Sequence, residues 1–300
     1  MGEIQTLDLE FFGATGVIAS FLAPVEGGFV LFDPGPASAV ETLERRAGEA
    51  GFALEDLRAV FATHVHLDHA GGAGVLARRT GCTVYAHPLG APHLLDPHRK
   101  LLPSAERLYR EMMVPLWGTT EAAPEGTVRS LADGESTMVG GLAVVAHHTP
   151  GHASHHVAWQ IGGAMVTGDV AGVRFPGSTH VLPPMPPPDI DIEQWRASLE
   201  KLRRLEPTQL LLTHYGAFED VPRHLDELEE RLLRWTGIAR RVAAEGGGRA
   251  ALGAALLELD EREMEASGVP PEAVARYRRL CPMEENSAGL LRYCEQQAHR

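Results

Sequence analysis

Three cysteines in 300 residues, at 82, 281 and 294, are too few, odd in number and too far apart for a disulfide framework. A reducing compartment fits this usage. None of the three falls near the other candidate ligands, which argues against a thiolate-built metal centre. Lysine is almost missing: only Lys100 and Lys201 occur, and arginine supplies nearly all the positive charge. With 27 basic and 40 acidic residues the net charge is -13. Extended nucleic-acid binding is therefore not expected, because it needs a basic patch to displace phosphate counterions. No apolar run approaches the ~20 residues of a membrane span. The start, Met-Gly-Glu-Ile-Gln, lacks the basic n-region and long apolar h-region of a signal peptide. No membrane partner is expected, and a cytoplasmic location is.

What the chain does have is histidine in pattern. Residues 63–72 read Thr-His-Val-His-Leu-Asp-His-Ala-Gly-Gly, so His64, His66, Asp68 and His69 fall within six positions. A core would not bury such a run unpaired. Three further motifs each add one ligand type: Thr149-Pro150-Gly151-His152, Gly168-Asp169 and Thr213-His214-Tyr215-Gly216. Together they supply five histidines and two aspartates, a donor set for two adjacent divalent metals. Histidine and carboxylate without thiolate suit borderline to hard cations, zinc first, with manganese and iron as competitors.

Apolar patterning places these motifs at the ends of strands. Strands are expected at 6–12, 16–22, 29–32, 57–62, 83–86, 142–148, 156–161, 164–168 and 209–213. Helices are expected at 37–51, 73–80 and 191–205, the last with Ile192, Trp195, Leu199 and Leu202 on one stripe. Residues 90–125 break the rhythm and read as an inserted flap, helical from Glu106 to Met113. Six of the chain's 21 prolines lie between 176 and 188, too many for a helix or strand interior. They predict a stiff loop after Asp169, where a substrate rim would be. From about residue 222 the pattern becomes helical throughout. The expected division is a catalytic domain at 1–221 and an α-helical extension at 222–300, which packs beside the site or pairs two subunits as a homodimer.

The ordered set of motifs, across residues 5–220, resembles the metallo-β-lactamase superfamily, and within it the glyoxalase II-like branch and a bacterial and archaeal subgroup sharing the flap and the His-Tyr-Gly motif. The resemblance implies an α/β fold, a four-layer αβ/βα sandwich of two mixed sheets with helices outside and the site at one edge. It also implies that His64, His66 and His152 bind one metal, that Asp68, His69 and His214 bind a second, and that Asp169 bridges them. Two such metals share a hydroxide whose pKa drops toward ~7, a nucleophile at neutral pH. Asp33 sits where relatives place a carboxylate behind the metal loop, and His156 follows His152 as in TPGHxxxH relatives. Tyr215 is a candidate donor to a developing oxyanion. Arg174 and His180, on the proline-rich loop, and Trp117, in the flap, are candidates for the substrate rim.

The function expected from this resemblance is hydrolysis of a small-molecule ester, thioester or lactone. A true glyoxalase II is not expected, since no lysine follows Lys201 to complete the Arg-x-x-Lys element that holds glutathione. His66, where the di-iron flavoprotein branch has glutamate, argues against that branch. Leu67, where ribonuclease Z-like relatives carry glycine, and the charge of -13 weigh against a tRNA nuclease. Three alternatives stay open: a phosphodiesterase or phosphoesterase on small substrates or nucleotides, a mononuclear-iron persulfide dioxygenase, and a non-catalytic metal-stabilised binding module.

Overall fold

A computed structural model describes residues 2–298. The strands form two six-stranded sheets, in chain-numbered orders β1-β2-β3-β4-β5-β6 and β12-β11-β10-β9-β8-β7. The chain clusters into two compact units, Met1–His148 with His155–Gly168, and Thr149–Ser154 with Asp169–Arg300. Among the described residues no helix is long and apolar enough to cross a membrane.

The first unit opens with β1 (Gln5–Asp8), β2 (Ala19–Val25) and β3 (Gly28–Phe32), joined antiparallel. After α1 (Val40–Glu49), β4 (Leu57–Phe61) pairs parallel with β3. The short α2 (Leu67–Ala70) and α3 (Ala73–Thr80) lead to β5 (Thr83–Ala86), parallel to β4. The expected strand 6–12 stops at Asp8. There the carboxylate accepts from the backbone N–H of Glu10 and Gly16 at 2.8 and 2.7 Å, and Glu10 turns left-handed. Gly-Phe-Val-Leu-Phe in β3 and Leu-Arg-Ala-Val-Phe in β4 are nearly continuous apolar runs, as strands covered on both faces require. Phe61 stacks on Phe32 and Tyr85 of the flanking strands, with ring centroids 4.9 and 4.7 Å apart.

The inserted segment is helical: α4 (Ala91–Leu95), α5 (Leu101–Tyr109) and α6 (Met113–Trp117). The expected helix at 106–113 is cut at Arg110, whose φ of 46° leaves the helical region. The insert is pinned by Ser38 Oγ donating to the Leu116 carbonyl at 2.5 Å and Arg78 Nε to the Ala122 carbonyl at 2.9 Å. β6 (Val128–Ser130) completes the first sheet as a parallel partner of β5. β7 (Ser136–Val139), β8 (Leu142–His148), β9 (Val157–Ile161) and β10 (Ala164–Val166) follow as an antiparallel run. Trp159 of β9 meets Phe61 of β4 edge-on at 5.2 Å, so inner faces of the two sheets share one apolar core.

The second unit carries α7 (Ile192–Leu205), the hairpin of β11 (Gln209–Leu212) and β12 (Gly216–Phe218), then α8 (Val221–Ala244), α9 (Arg249–Ala266), α10 (Pro271–Leu280) and α11 (Met283–Ala298). The side chain of Asp191 caps α7 by accepting from Gln194 N–H at 3.0 Å. The α7 stripe is buried as its spacing predicts. In α8, Leu225, Leu228, Leu232, Trp235 and Ala239 form the buried face. In sequence the chain passes between the compact units after His148, Ser154 and Gly168. The helices after residue 221 grip the proline-rich loop: Asn286 Oδ1 accepts from Met185 N–H at 2.8 Å, and His180 Nε2 lies 2.7 Å from Asp260 Oδ1. Loop and helices therefore form one packed body. Positions 299 and 300, at the end of the expected extension, lie outside the described residues.

Candidate metal centre

The motif after β4 is built by one change of backbone. The strand ends at Phe61, the chain bends at Thr63 and His64, and His66, at φ -60° and ψ 149°, is the N-cap of α2. The bend leaves His64 beside His66, and the first turn of α2 adds Asp68 and His69. The His64 ring centroid lies 4.5 Å from that of His66 and 4.1 Å from that of His69. His64 and His69 are buried, while His66 and Asp68 are half-buried.

Asp33 sets the orientation of two of these rings. It is fully buried, with φ 48°, at the end of β3. Its carboxylate accepts from the Thr63 backbone N–H at 2.7 Å, the Thr63 hydroxyl at 2.8 Å and His69 Nδ1 at 2.8 Å. Donation from Nδ1 leaves the lone pair of His69 on Nε2. Because the Thr63 hydroxyl spends its proton on Asp33, Oγ1 is the acceptor for His64 Nδ1 at 3.1 Å. The same tautomer follows for His64. Thr63 is a positioning residue that the sequence reading passed over. The close approach of Gly168 shows how tightly it is held, since at φ 47° a Cβ there would collide with Thr63 Oγ1. His156 is buried with its ring 5.1 Å from that of His64.

His152, Asp169 and His214 are also buried, and sit around one another. Asp169 Oδ2 lies 3.3 Å from His152 Nε2, and Oδ1 lies 3.5 Å from His214 Nε2. His152 Nδ1 donates to the Pro184 carbonyl at 2.9 Å, which again directs Nε2 toward the carboxylate. The Trp195 ring meets the His152 ring edge-on at 5.7 Å. The segment holding His214 and the half-buried Tyr215 is bound to Arg174 by two backbone bonds, Arg174 N–H to the His214 carbonyl at 2.8 Å and Tyr215 N–H to the Arg174 carbonyl at 3.1 Å.

Three groups of three have ligand atoms all within 4.8 Å of one another: His64, His66 and His152; His64, His69 and Asp169; and Asp68, His69 and His214. All seven expected ligands are present in these groups. The chemistry of the donor set fits divalent metal. His64, His69 and His152 are each fixed by a hydrogen bond at Nδ1 in the tautomer that offers Nε2.

The expected rim residues are placed differently. Arg174 is 7% exposed: Nε donates to the Ser178 carbonyl at 2.8 Å, Nη1 to Asp220 at 2.6 Å, and the guanidinium lies 4.2 Å over the Phe218 ring. Burial pushes the Asp220 carboxyl up, but Arg174 and Arg223 outweigh it and hold it at about 2. His180 is 1% exposed and spent on Asp260 and Arg231. Both are internal fasteners, because their charged atoms are already matched inside the fold. Trp117 is buried against Phe11 and Tyr109, with centroids 5.4 and 5.0 Å away, and packs the insert onto the chain before β2.

Comparison with known proteins accounts for this arrangement. The metallo-beta-lactamase superfamily model matches residues 13–214. The metallo-beta-lactamase fold-containing protein ST1585 of Sulfurisphaera tokodaii is 28% identical over 182 residues, 60% of this chain and 68% of that protein. A hydroxyacylglutathione hydrolase of Thiobacillus denitrificans is 28% identical over 184 residues, 60% of this chain but 53% of that enzyme. A metallo-beta-lactamase family protein of Thermus thermophilus, TTHA1429, superposes with a TM-score of 0.70 over 99% of this chain and 93% of its own, at 20% identity, a likeness of fold. The αβ/βα sandwich with its helical extension is thus a known architecture. With the superfamily model matching well over half of its length, the chain belongs to the metallo-beta-lactamase superfamily.

Proposed function

We propose that the protein is a binuclear metal-dependent hydrolase of a small-molecule ester, thioester or lactone. The observation that carries this reading is the set of three overlapping ligand triads, with Asp169 and the two rings it touches at its centre. His64, His66 and His152 would hold one ion and Asp68, His69 and His214 the other, with Asp169 shared. When bound, the ions supply Lewis acidity, which activates water at neutral pH and offsets charge on the carbonyl oxygen. The chain's own contribution is orientation. Asp33 and Thr63 fix the His64 and His69 rings, and Pro184 fixes His152. Tyr215, half-buried beside His214, would donate a hydrogen bond to a developing oxyanion. The match to hydroxyacylglutathione hydrolases supports acyl chemistry, although those alignments leave much of each enzyme uncovered.

Metal analysis per chain, on protein purified without added metal, is the test. Two equivalents of zinc or manganese, with turnover on an ester, thioester and lactone panel lost in Asp169→Ala, are expected. One equivalent of iron, with oxygen consumption on a persulfide and no ester turnover, would overturn the reading.

A further inference from the structure

A second cavity lies entirely among the C-terminal helices, lined by residues of α9, α10 and α11 and by no metal ligand. Its volume of about 600 Å³ is that of a small-molecule site. The walls are largely apolar: Ala250, Ala254 and Leu257 on one side, and Cys281, Pro282 and Met283 on the other. The charged lining residues are Asp260, which is buried, and Arg249, Arg278 and Glu284, which are exposed.

Asp260 stands where the pattern calls for an apolar residue. On α9 the buried positions are Leu252, Leu256, Asp260 and Met264, four apart, so the acid occupies the core stripe. It is 1% exposed and lines the cavity. His180 Nε2, at 2.7 Å, is bonded to Oδ1, and among the described residues no donor serves Oδ2. A carboxylate has acceptor sites on both oxygens, and the second one here belongs to a residue that lines the cavity. The neighbouring charges are already matched. At the rim, Arg249 pairs with Glu284 and Arg278 with Glu261. Behind His180, Arg231 is bound by Glu227 and Glu263. The acceptor capacity left over is therefore the Asp260 oxygen, on the wall of a largely apolar cavity.

We propose that this cavity binds a small primary amine with an apolar body, the ammonium donating to Asp260 and the body lying between α9 and the start of α11. An ammonium supplies the missing donors and the missing charge together, and the apolar walls take a short alkyl or arylalkyl group. Neither a carboxylate nor an alcohol of the same shape does both. The site is independent of the metal reading.

Calorimetric titration of the full chain with 2-phenylethylamine, 2-phenylethanol and 3-phenylpropanoate tests this, on metal-loaded and on chelator-treated protein. Saturable one-site binding of the amine is expected, roughly tenfold or more tighter than the alcohol, and the same on both preparations. Asp260→Asn should erase the preference for the amine. Ala254→Trp, at an exposed wall position, fills the chamber without entering the core and should abolish binding even where Asp260→Asn fails to fold. Absent saturable binding, equal affinity for amine and alcohol, binding unchanged in Ala254→Trp, or binding that vanishes with the metal would each overturn the proposal.

Discussion

The ligands at 64 and 69 and the ligand at 152 are oriented by different chemistry. His64 and His69 depend on side chains, one buried carboxylate acting directly and through Thr63. His152 depends on a peptide carbonyl, that of Pro184, in a loop that the C-terminal helices hold in place. The first device places a negative charge behind the rings, and one substitution removes it. The second is neutral and cannot be deleted by changing the residue that supplies it. It can be disturbed only through what holds the loop. The difference implies unequal sensitivity to mutation for ligands with the same task.

The largest effect should come from Asp169, the carboxylate both sides of the comparison need. Asp169→Ala removes the group lying against His152 and His214. Metal content should fall and hydrolysis become undetectable while the far-ultraviolet spectrum and melting cooperativity persist. Unchanged turnover would refute a shared carboxylate.

Next is Asp33. Three donors converge on it, so Asp33→Ala strands the Thr63 amide and frees two rings to turn. Metal affinity, measured by competition with a chromophoric chelator, should drop about 10- to 100-fold. The orphaned donors should cost roughly 1–3 kcal/mol of stability each where water does not reach them. Asp33→Asn, retaining an acceptor oxygen, should recover part of the affinity. Equal losses in the two variants would argue that the charge matters here and the retained shape and acceptor do not.

A smaller effect is expected at Asn286, which probes the carbonyl side. Asn286→Ala deprives Met185 N–H of its acceptor one residue from the carbonyl that orients His152. Stability should fall by about 1–3 kcal/mol, and metal affinity severalfold, less than in Asp33→Ala. A metal-affinity loss equal to that of Asp33→Ala would erase the asymmetry.

How far the sequence discloses the site follows the same division. Side-chain chemistry leaves a trace in residue type and spacing, so the seven candidate ligands can be found from motifs, Asp33 from the family resemblance, and long apolar runs such as β3, β4 and β8 from periodicity. Backbone roles leave none. Nothing in Pro184 or in the buried Asn286 signals a carbonyl aimed at a ligand, and the short β6, β7 and β12 have too few apolar residues to show alternation. Arg174 and His180 mislead for a related reason. A charged residue on a proline-rich loop reads as exposed until its partners, Asp220 on one side and Asp260 on the other, are known to be folded against it.

The last effect leaves the metal site untouched, is absent at pH 7 and appears only on acidification. His224 on α8 is fully buried with Nε2 donating to the Ala171 carbonyl at 2.7 Å. Burial, which the Ala171 bond only partly opposes, and the nearby Arg174 charge push its pKa down to about 4. His87 is pushed to about 4 by burial and by His148, whose ring centroid is 4.0 Å away, against the pull of Asp133. A folded-state pKa below the unfolded value of about 6.5 means that the unfolded chain takes up protons the folded one refuses. Stability is complete above about pH 6.5, falls as pH drops toward 4, and the loss levels off below that. For His224 the loss is on the order of 2–3 kcal/mol. Denaturant titrations of chelator-treated protein should show it as a steeper stability slope over that window than in His224→Gln, which can still donate to Ala171. Coincident slopes would mean that His224 takes up its proton in the fold as readily as out of it.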